Sequence, residues 1–466
     1  MKFGGTSVGS AERIHDVASI VAQGQKDGKI VVVVSAISGV TNLLVKAIQA
    51  ATNKKQKELM DAIKEIRLVH EQIIVELGLA GEKKEELQRV IDNHLLHVES
   101  LLFSVYELGE ITLRGRDFIS SFGERMNIHI VSYALKERGL NAEPFNATEF
   151  IMTNDDFGNA KPFLKESAKK SKVSLQQYLD KNVVPVVTGF IGGTKSGETT
   201  TFGRGGSDYS ATILGYCLDA DEVWIWTDVD GAMTADPKIV KEARTMPFLS
   251  YDEATELSYF GAKVLHPLTI IPAEMKKIPV WIKNTFRPEG IGTKIGDGQY
   301  PNGHGIKAIS STQDLALVTL EGKGMIGVPG TAAKVFDSIA EKNINVLFIS
   351  QASSEHNISF VVKGTDGNKT AAVLKETFRV ELMDRRIEAI RIEENVALVA
   401  VIGANMKGLP GIAGKTFSAL GDARINIIAI AQGSSELNIS FIVQSEEMEK
   451  AVQSIHKAFA LEKERV

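Results

Sequence analysis

The chain repeats itself. Residues 325–362, MIGVPGTAAKVFDSIAEKNINVLFISQASSEHNISFVV, match 406–443, MKGLPGIAGKTFSALGDARINIIAIAQGSSELNISFIV, without a gap. Pro329 corresponds to Pro410, Asn345 to Asn426 and Gln351 to Gln432, all at one offset (410 − 329 = 81). Two gapless copies describe one structural unit used twice. Each reads as strand, turn, helix, strand, short loop, strand, helix. The first copy runs on into RRIEAIRIEE (385–394), a plausible fourth strand. The same strand of the second copy would begin where the sequence stops. HGIKAISS (304–311), just ahead of the first copy, is the candidate to fill that place. The two units are then interleaved rather than strung in series.

The other two-thirds of the chain has a different rhythm. KIVVVVS (29–35) is a β-branched run, as expected of a buried parallel strand. VVPVVTGFIGG (183–193), DEVWIWTDVDG (221–231) and IPVWIKNT (278–285) are further strands. Residues 41–139 are mostly helical in pattern. Strands separated by helices, with glycine and polar residues at their carboxyl ends, spell a three-layer α/β domain whose ligands sit beyond those ends. EGIGTKIGDGQYPNGHG (289–305) reads as a loop or linker.

Composition narrows the partners. With 466 residues and 44% hydrophobic content the chain has material for several cores. A net charge of -5 lacks the basic footprint of nucleic-acid binding, while leaving room for a local anion pocket. The single cysteine, Cys217, rules out an internal disulfide or a CxxC zinc site. It lies in the apolar pattern ATILGYCLDA and reads as a buried, inert thiol. A reducing, cytoplasmic compartment fits. Neither a signal-peptide pattern nor a run of 18 apolar residues is seen, so no membrane span is expected.

Three glycine-rich stretches compete for a nucleotide. TLEGKGMIG matches GxGxxG at Gly322, Gly324 and Gly327, but the next strand ends in FISQ, without the acid a dinucleotide site requires. The second copy has Asn405 in place of the middle glycine. A tight turn in a repeated unit is favoured there. KFGGTS (2–7) sets Lys2 before a strand-to-helix turn, where backbone N–H groups and a helix N-terminus could cradle an anion. GRGGSD (203–208) has the same design, with Ser207 and Asp208 opening a helix; a plain capped turn is the alternative for either one alone. Together they look like two cradles facing one site.

KFGGTSV, SFGERM, GRGGSDYSA, WTDVDG, ELSYFGAKVLHP and the doubled SQASSE/AQGSSE, in this order, closely resemble aspartokinases over nearly the whole chain. The resemblance implies a three-layer amino-acid-kinase (carbamate-kinase-like) domain over 1–295. Two ferredoxin-like βαββαβ ACT domains would follow, over 304–394 and 395–466. It implies transfer of phosphate from ATP, with Mg²⁺, to the side-chain carboxylate of L-aspartate. Lys2 and Asp208 would be catalytic, Lys2 stabilising the phosphoryl group in flight and Asp208 orienting Lys2 or other catalytic groups. Ser35, Thr41, Glu124, Arg204 and Ser207 would hold the substrate, Arg204 its carboxylate and Glu124 its α-ammonium. Gly4, Gly5, Thr6, Ser7, Thr227, Asp228, Met233, Lys238 and Lys263, with Lys2, would face ATP. His266 reads as structural.

The sequence departs from the family at three places. Met233 stands for the usual Tyr and Lys238 for the usual Arg, which bears on the nucleotide contacts. Only Met1 precedes Lys2: either the sequence begins late, or the first strand is held by few residues and Lys2 is mobile. In the ACT units, Asn345, Gln351, Asn426 and Gln432 would bind a regulatory amino acid. Lysine-sensitive relatives carry Asp where this chain has Leu347, so threonine is favoured over lysine. A monofunctional homodimer or tetramer, paired through ACT domains, is expected. A kinase with another acceptor, and a catalytically weak ACT sensor, are the competing readings.

Overall fold

A computed structural model describes residues 1–261, 265–298, 305–351 and 356–463. They fall into two compact units. One comprises Met1–Ala232, Pro247–Tyr251 and Val264–Gly298, the other Met233–Met246, Asp252–Lys263 and Gln299–Val466.

The first unit is built on β1 (Lys2–Phe3), β2 (Val32–Val34), β3 (Ala142–Phe145), β4 (Val184–Thr188), β7 (Val223–Thr227), β8 (Phe248–Ser250), β9 (Val280–Asn284) and β10 (Thr293–Gly296). They lie in the order β3-β4-β2-β1-β7-β9-β10-β8. Every neighbouring pair is parallel except β9 with β10. A separate hairpin pairs β5 (Ile191–Gly193) with β6 (Thr199–Thr201). Long helices such as Val40–Thr52, Gln56–Glu76 and Glu82–Leu108 bury Leu44, Leu59, Ile66, Leu87 and Leu102 in the main core. β10 falls inside the stretch read as a linker. Its short alternation, Thr293 and Ile295 inward, is hidden among glycines.

The two-residue β1 sits in mid-sheet. Lys2 is in register with Val33 on one side and Ile225 on the other. The Val33 N–H donates to Met1 O at 2.8 Å, and Phe3 is fully buried, stacked on Trp226. Lys2 is therefore held by neighbours on both sides, although only Met1 precedes it.

The second unit carries β11 (Ala308–Glu321), β12 (Phe348–Gln351), β13 (Asn357–Lys363), β14 (Ala389–Ile402), β15 (Ala429–Ala431) and β16 (Asn438–Gln444), ordered β12-β13-β11-β14-β16-β15. The repeat shows in the register. Leu315–Glu321 runs antiparallel to Asn357–Lys363, and 81 residues on, Val396–Ile402 runs antiparallel to Asn438–Gln444. β11 and β14 each serve both copies. Ala308–Thr312 pairs with Leu398–Ile402, the place left open in the second copy. Each long strand turns at one residue in the left-handed region, Asp314 in β11 (φ 58°) and Asn395 in β14 (φ 58°), again 81 apart. The fourth strand of each copy is thus a continuation of the first strand of the other.

Gly322 and Gly324 of the GxGxxG stretch are explained by packing. A Cβ on Gly322 would lie 2.3 Å from Arg386 O, and one on Gly324 2.6 Å from Arg386 Cα. The tight-turn reading accounts for both.

The compact units do not follow a single cut at residue 295. Met233–Met246 and Asp252–Lys263 group with the second unit, and buried polar contacts join them to it. Glu253, 1% exposed, pairs with Lys307 at 2.6 Å and accepts from the Ala404 N–H at 2.8 Å. Thr234 Oγ1 lies 3.0 Å from His456 Nε2. No helix among the described residues is long and apolar enough to cross a membrane.

Candidate active site

Four adjacent parallel strands, β4, β2, β1 and β7, end on one edge of the first sheet. Ligands of such sheets bind beyond that edge. The chain leaves β2 into Ser35, β4 into Gly189, β1 into Gly4 and β7 into Asp228.

At the centre, Lys2 Nζ lies 2.6 Å from Asp208 Oδ1. The approach is off the axis of a hydrogen bond, so the contact is ionic. The Lys2 side chain is 8% exposed and that of Asp208 17%. Asp208 sits in the first turn of the Gly206–Leu218 helix, whose cap is Gly205 in the left-handed region (φ 72°). Asp208 is therefore not the N-cap of the alternative reading; its carboxylate is aimed at the lysine. Gly205 has a second reason to lack a side chain: a Cβ would fall 2.6 Å from His266 Cβ. His266 caps the Pro267–Met275 helix through Nδ1 and Leu268 N, the structural role expected of it. Burial, aided by the Arg204 guanidinium, depresses its pKa against the opposing pull of Asp208.

The KFGGTS turn differs from expectation in one respect. Gly5–Val8 is a 3₁₀ turn, and the α-helix begins only at Ala11, capped by Ser10. Gly4 N donates to Trp226 O at 3.2 Å, tying the turn to β7. Ser7 is fully buried with its Oγ 2.7 Å from Thr285 Oγ1, so its hydroxyl is committed to the fold. A Cβ on Gly4 would stand 3.4 Å from Lys2 Nζ, an ordinary contact. Gly5 approaches Ala36 O, which a Cβ would meet at 3.0 Å. Thr6 is half-buried.

Glu124 lies in the first turn of the Phe122–Glu137 helix and is 3% exposed. Its neighbour Gly123 lets that helix touch the end of β2, since a Cβ there would meet Ala36 Cβ at 2.6 Å. This close approach brings Glu124 Oε1 to the Ala36 N–H at 3.0 Å. Oε2 is buried with no donor. Burial pushes the carboxyl up to about 8, only partly offset by the Ala36 N–H. Nearby, Asn127 Nδ2 donates to Ser35 O at 2.7 Å. Ser207 is buried against Gly189, where a Cβ would be 2.8 Å from Ser207 Cβ and 2.9 Å from Val34 O. Ser35 and Thr41 are half-buried.

Arg204 is exposed on the turn that follows β6. That turn is anchored by Asp117, a residue the sequence reading missed. Asp117 accepts from the N–H groups of Gly158 and Thr201, both at 2.8 Å, and from Thr201 Oγ1 at 2.9 Å. Arg125 adds a bond to Thr199 Oγ1 at 2.8 Å. No sequence periodicity marks Asp117, because a buried acid between two arginine-bearing turns reads as an ordinary helix charge. Thr227 and Asp228 end β7, joined by a 3.2 Å hydrogen bond, with Asp228 exposed. Met233 and Lys238 belong to the second unit, Met233 bridged to Thr245 and Lys238 exposed. Lys263 lies outside the described residues. Cys217 is buried in the Gly206–Leu218 helix, as expected.

The amino acid kinase family model matches residues 1–284, and the ACT domain model matches 318–378 and 399–459. Aspartokinase 2, chloroplastic, of Arabidopsis thaliana is 36% identical over 468 residues, which are 98% of this chain and 84% of the relative. The chain belongs to the aspartokinase family. The aspartokinase III of E. coli in complex with aspartate and ADP (R-state) superposes with a TM-score of 0.83 at 31% identity, covering 98% of this chain and 99% of that one. Bifunctional aspartokinase/homoserine dehydrogenase 1, chloroplastic, of Zea mays is 37% identical over 99% of this chain. The aspartokinase sequence here spans about half the length of that relative.

Proposed function

We propose that this chain transfers the γ-phosphoryl group of ATP to the side-chain carboxylate of L-aspartate, giving 4-phospho-L-aspartate and ADP. The observation that carries the reading is the Lys2–Asp208 pair at the centre of the sheet edge, 2.6 Å apart, with Lys2 buried and Asp208 half-buried. The E. coli relative, crystallised with aspartate and ADP, supports the choice of substrates.

A carboxylate is already a nucleophile, so no general base is required. One aspartate oxygen attacks the γ-phosphorus in line. The new O–P bond forms as the bond to the bridging oxygen breaks, and ADP leaves with that electron pair. Lys2 lies against the transferring oxygens as a point charge, and Asp208 keeps its ammonium in place. Arg204 forks the substrate's α-carboxylate. Glu124 Oε2 receives the α-ammonium, and Ser35, Thr41 and Ser207 offer hydroxyls. Gly4, Gly5, Thr6, Thr227 and Asp228 are assigned to the nucleotide, and Ser7, bonded to Thr285, supports their turn.

The donor set suits a magnesium ion carried on the phosphates. Among the described residues no three His, Cys, Asp or Glu groups cluster to cage a metal, and magnesium takes one or two carboxylates beside phosphate oxygens. Asp228, exposed at the end of β7, is the carboxylate available to it. The ion would neutralise phosphate charge.

The tandem ACT unit is read as the regulatory part, with threonine as effector ahead of lysine. Asn345, Gln351, Asn426 and Gln432 are all exposed amides, and Leu347 beside them is half-buried. None offers an acid for a lysine ε-ammonium. Pairing through ACT units would give a homodimer or tetramer, and the lone buried thiol of Cys217 suits a cytoplasmic setting.

The test is aspartyl hydroxamate formation with ATP, Mg²⁺ and L-aspartate, on the wild type and on Lys2→Ala. Turnover that disappears in the variant is the expected result. Absence of turnover in the wild type, with ATP still bound, would overturn the reading. Activity assayed with threonine, lysine and both tests the effector; inhibition by lysine alone refutes the threonine assignment.

A further inference from the structure

The helix turn that carries Glu124 also carries Asn127, to which the sequence reading gave no role. Asn127 is fully buried, 0% exposed. Its Nδ2 donates to Ser35 O at 2.7 Å, which fixes the orientation of the amide. The remaining Oδ1 is enclosed and receives no donor. Glu124, three residues earlier, repeats the arrangement. Its Oε1 accepts from Ala36 N at 3.0 Å, and its Oε2 is enclosed without a donor.

Residues three apart share one face of a helix. These two flank one peptide group just beyond β2, Glu124 at its Ala36 N–H and Asn127 at its Ser35 C=O. Each keeps a spare acceptor beside the same stretch of backbone. Leaving a buried acceptor unmatched is costly, and each one in a folded protein calls for an explanation. The pair describes a site that awaits donors. An ammonium brings three N–H donors and no acceptor, and the acid of the pair selects a cation over a neutral donor.

We propose that Asn127 is a specificity-determining residue, its Oδ1 joining Glu124 Oε2 in holding the α-ammonium of the amino-acid acceptor. The proposal rests on the reading of Glu124 given above. Glu124 supplies the charge and Asn127 a second, neutral acceptor. The site thereby distinguishes aspartate from a dicarboxylate of the same length without the amine.

Succinate, which is aspartate with hydrogen in place of the amine, makes the test. KM for aspartate and Ki for succinate competing with it are measured on wild type, Asn127→Ala and Glu124→Gln. For Asn127→Ala the expected result is a rise of about tenfold or more in KM for aspartate. KM for ATP and Ki for succinate stay unchanged. Equal weakening of aspartate and succinate would mean that Asn127 only props the Ser35 backbone, and would overturn the proposal, as would no weakening of either. Glu124→Gln separates the two layers. If it too weakens both ligands alike, the reading of Glu124 itself fails. If it selectively weakens aspartate while Asn127→Ala does not, only the proposal falls. Should Asn127→Ala not fold, Asn127→Ser, which keeps a small polar group beside Ser35 but does not reach as far, carries the same comparison.

Discussion

Lowering the pH from about 9 to about 6 is expected to weaken the chain's hold on aspartate while leaving its hold on ATP alone. The cause is Glu124. Burial raises its carboxyl to about 8, whereas an ammonium partner needs the ionised form. At about pH 7 only about one-tenth of the free protein carries the charge, so binding must first ionise the group at a cost of about 1.4 kcal/mol. Affinity for aspartate should therefore fall about tenfold between the alkaline plateau and about pH 7, and about tenfold more by about pH 6. Bound ammonium then holds the carboxyl ionised, so binding at about pH 7 expels close to one proton. Calorimetry in two buffers of different ionisation enthalpy reads that proton directly. KM for aspartate across the same range gives the slope. An affinity flat from about pH 6 to 8, with no proton released, would refute the argument, because it would mean that Glu124 is ionised in the empty site. Succinate, lacking the ammonium, should show neither effect.

The same carboxyl has a signature in stability. Its folded pKa is raised from 4.5 to about 8, so the native state holds the proton more tightly than the unfolded state, and stability declines as pH rises from about 4.5 to about 8. Glu124→Gln removes this term, and its melting temperature should gain on the wild type steadily over that interval; parallel curves would contradict it. Asp208→Asn strips the charge partner from Lys2, leaving a largely buried ammonium alone. A loss of about 3 kcal/mol in denaturant unfolding and a fall of about a hundredfold or more in kcat are expected. Gly123→Ala would drive a Cβ to 2.6 Å from Ala36 Cβ. The helix must back away and take Glu124 with it, so KM for aspartate should rise more than KM for ATP. Glu253→Ala would remove the 2.6 Å ion pair to Lys307 and the carboxylate that accepts from the Ala404 N–H. Faster hydrogen exchange at the junction of β11 and β14 is the expected readout.

What the sequence discloses and what it hides differ by physical kind. Spacing discloses topology. The constant offset of the repeat is enough to expect two units that exchange strands, because a segment can supply only the strands it contains. The register of Ala308–Thr312 on Leu398–Ile402 meets that expectation. Local pattern discloses strand and helix wherever the apolar run is long, and fails where it is short. β1 is two residues and β10 four, and both are strands only because neighbours supply the ladder. Side-chain chemistry discloses the candidate ions, yet it gives neither their burial nor their partners. Lys2 and Asp208 are 206 residues apart in sequence (208 − 2 = 206) and 2.6 Å apart in space, a closure made by the sheet rather than by either motif. Glu124 is visible as an acid in SFGER, but its raised pKa follows from Gly123, which admits the helix to Ala36, and so from a missing side chain. Asn127 and Asp117 are invisible for a related reason. Their types are ordinary on a helix surface, and only enclosure turns an ordinary amide or acid into a group that must find a partner. The hidden part of this site is thus its set of unmatched hydrogen-bond acceptors, which exist only once the helix is docked on β2. A substrate ammonium is the group that would complete them.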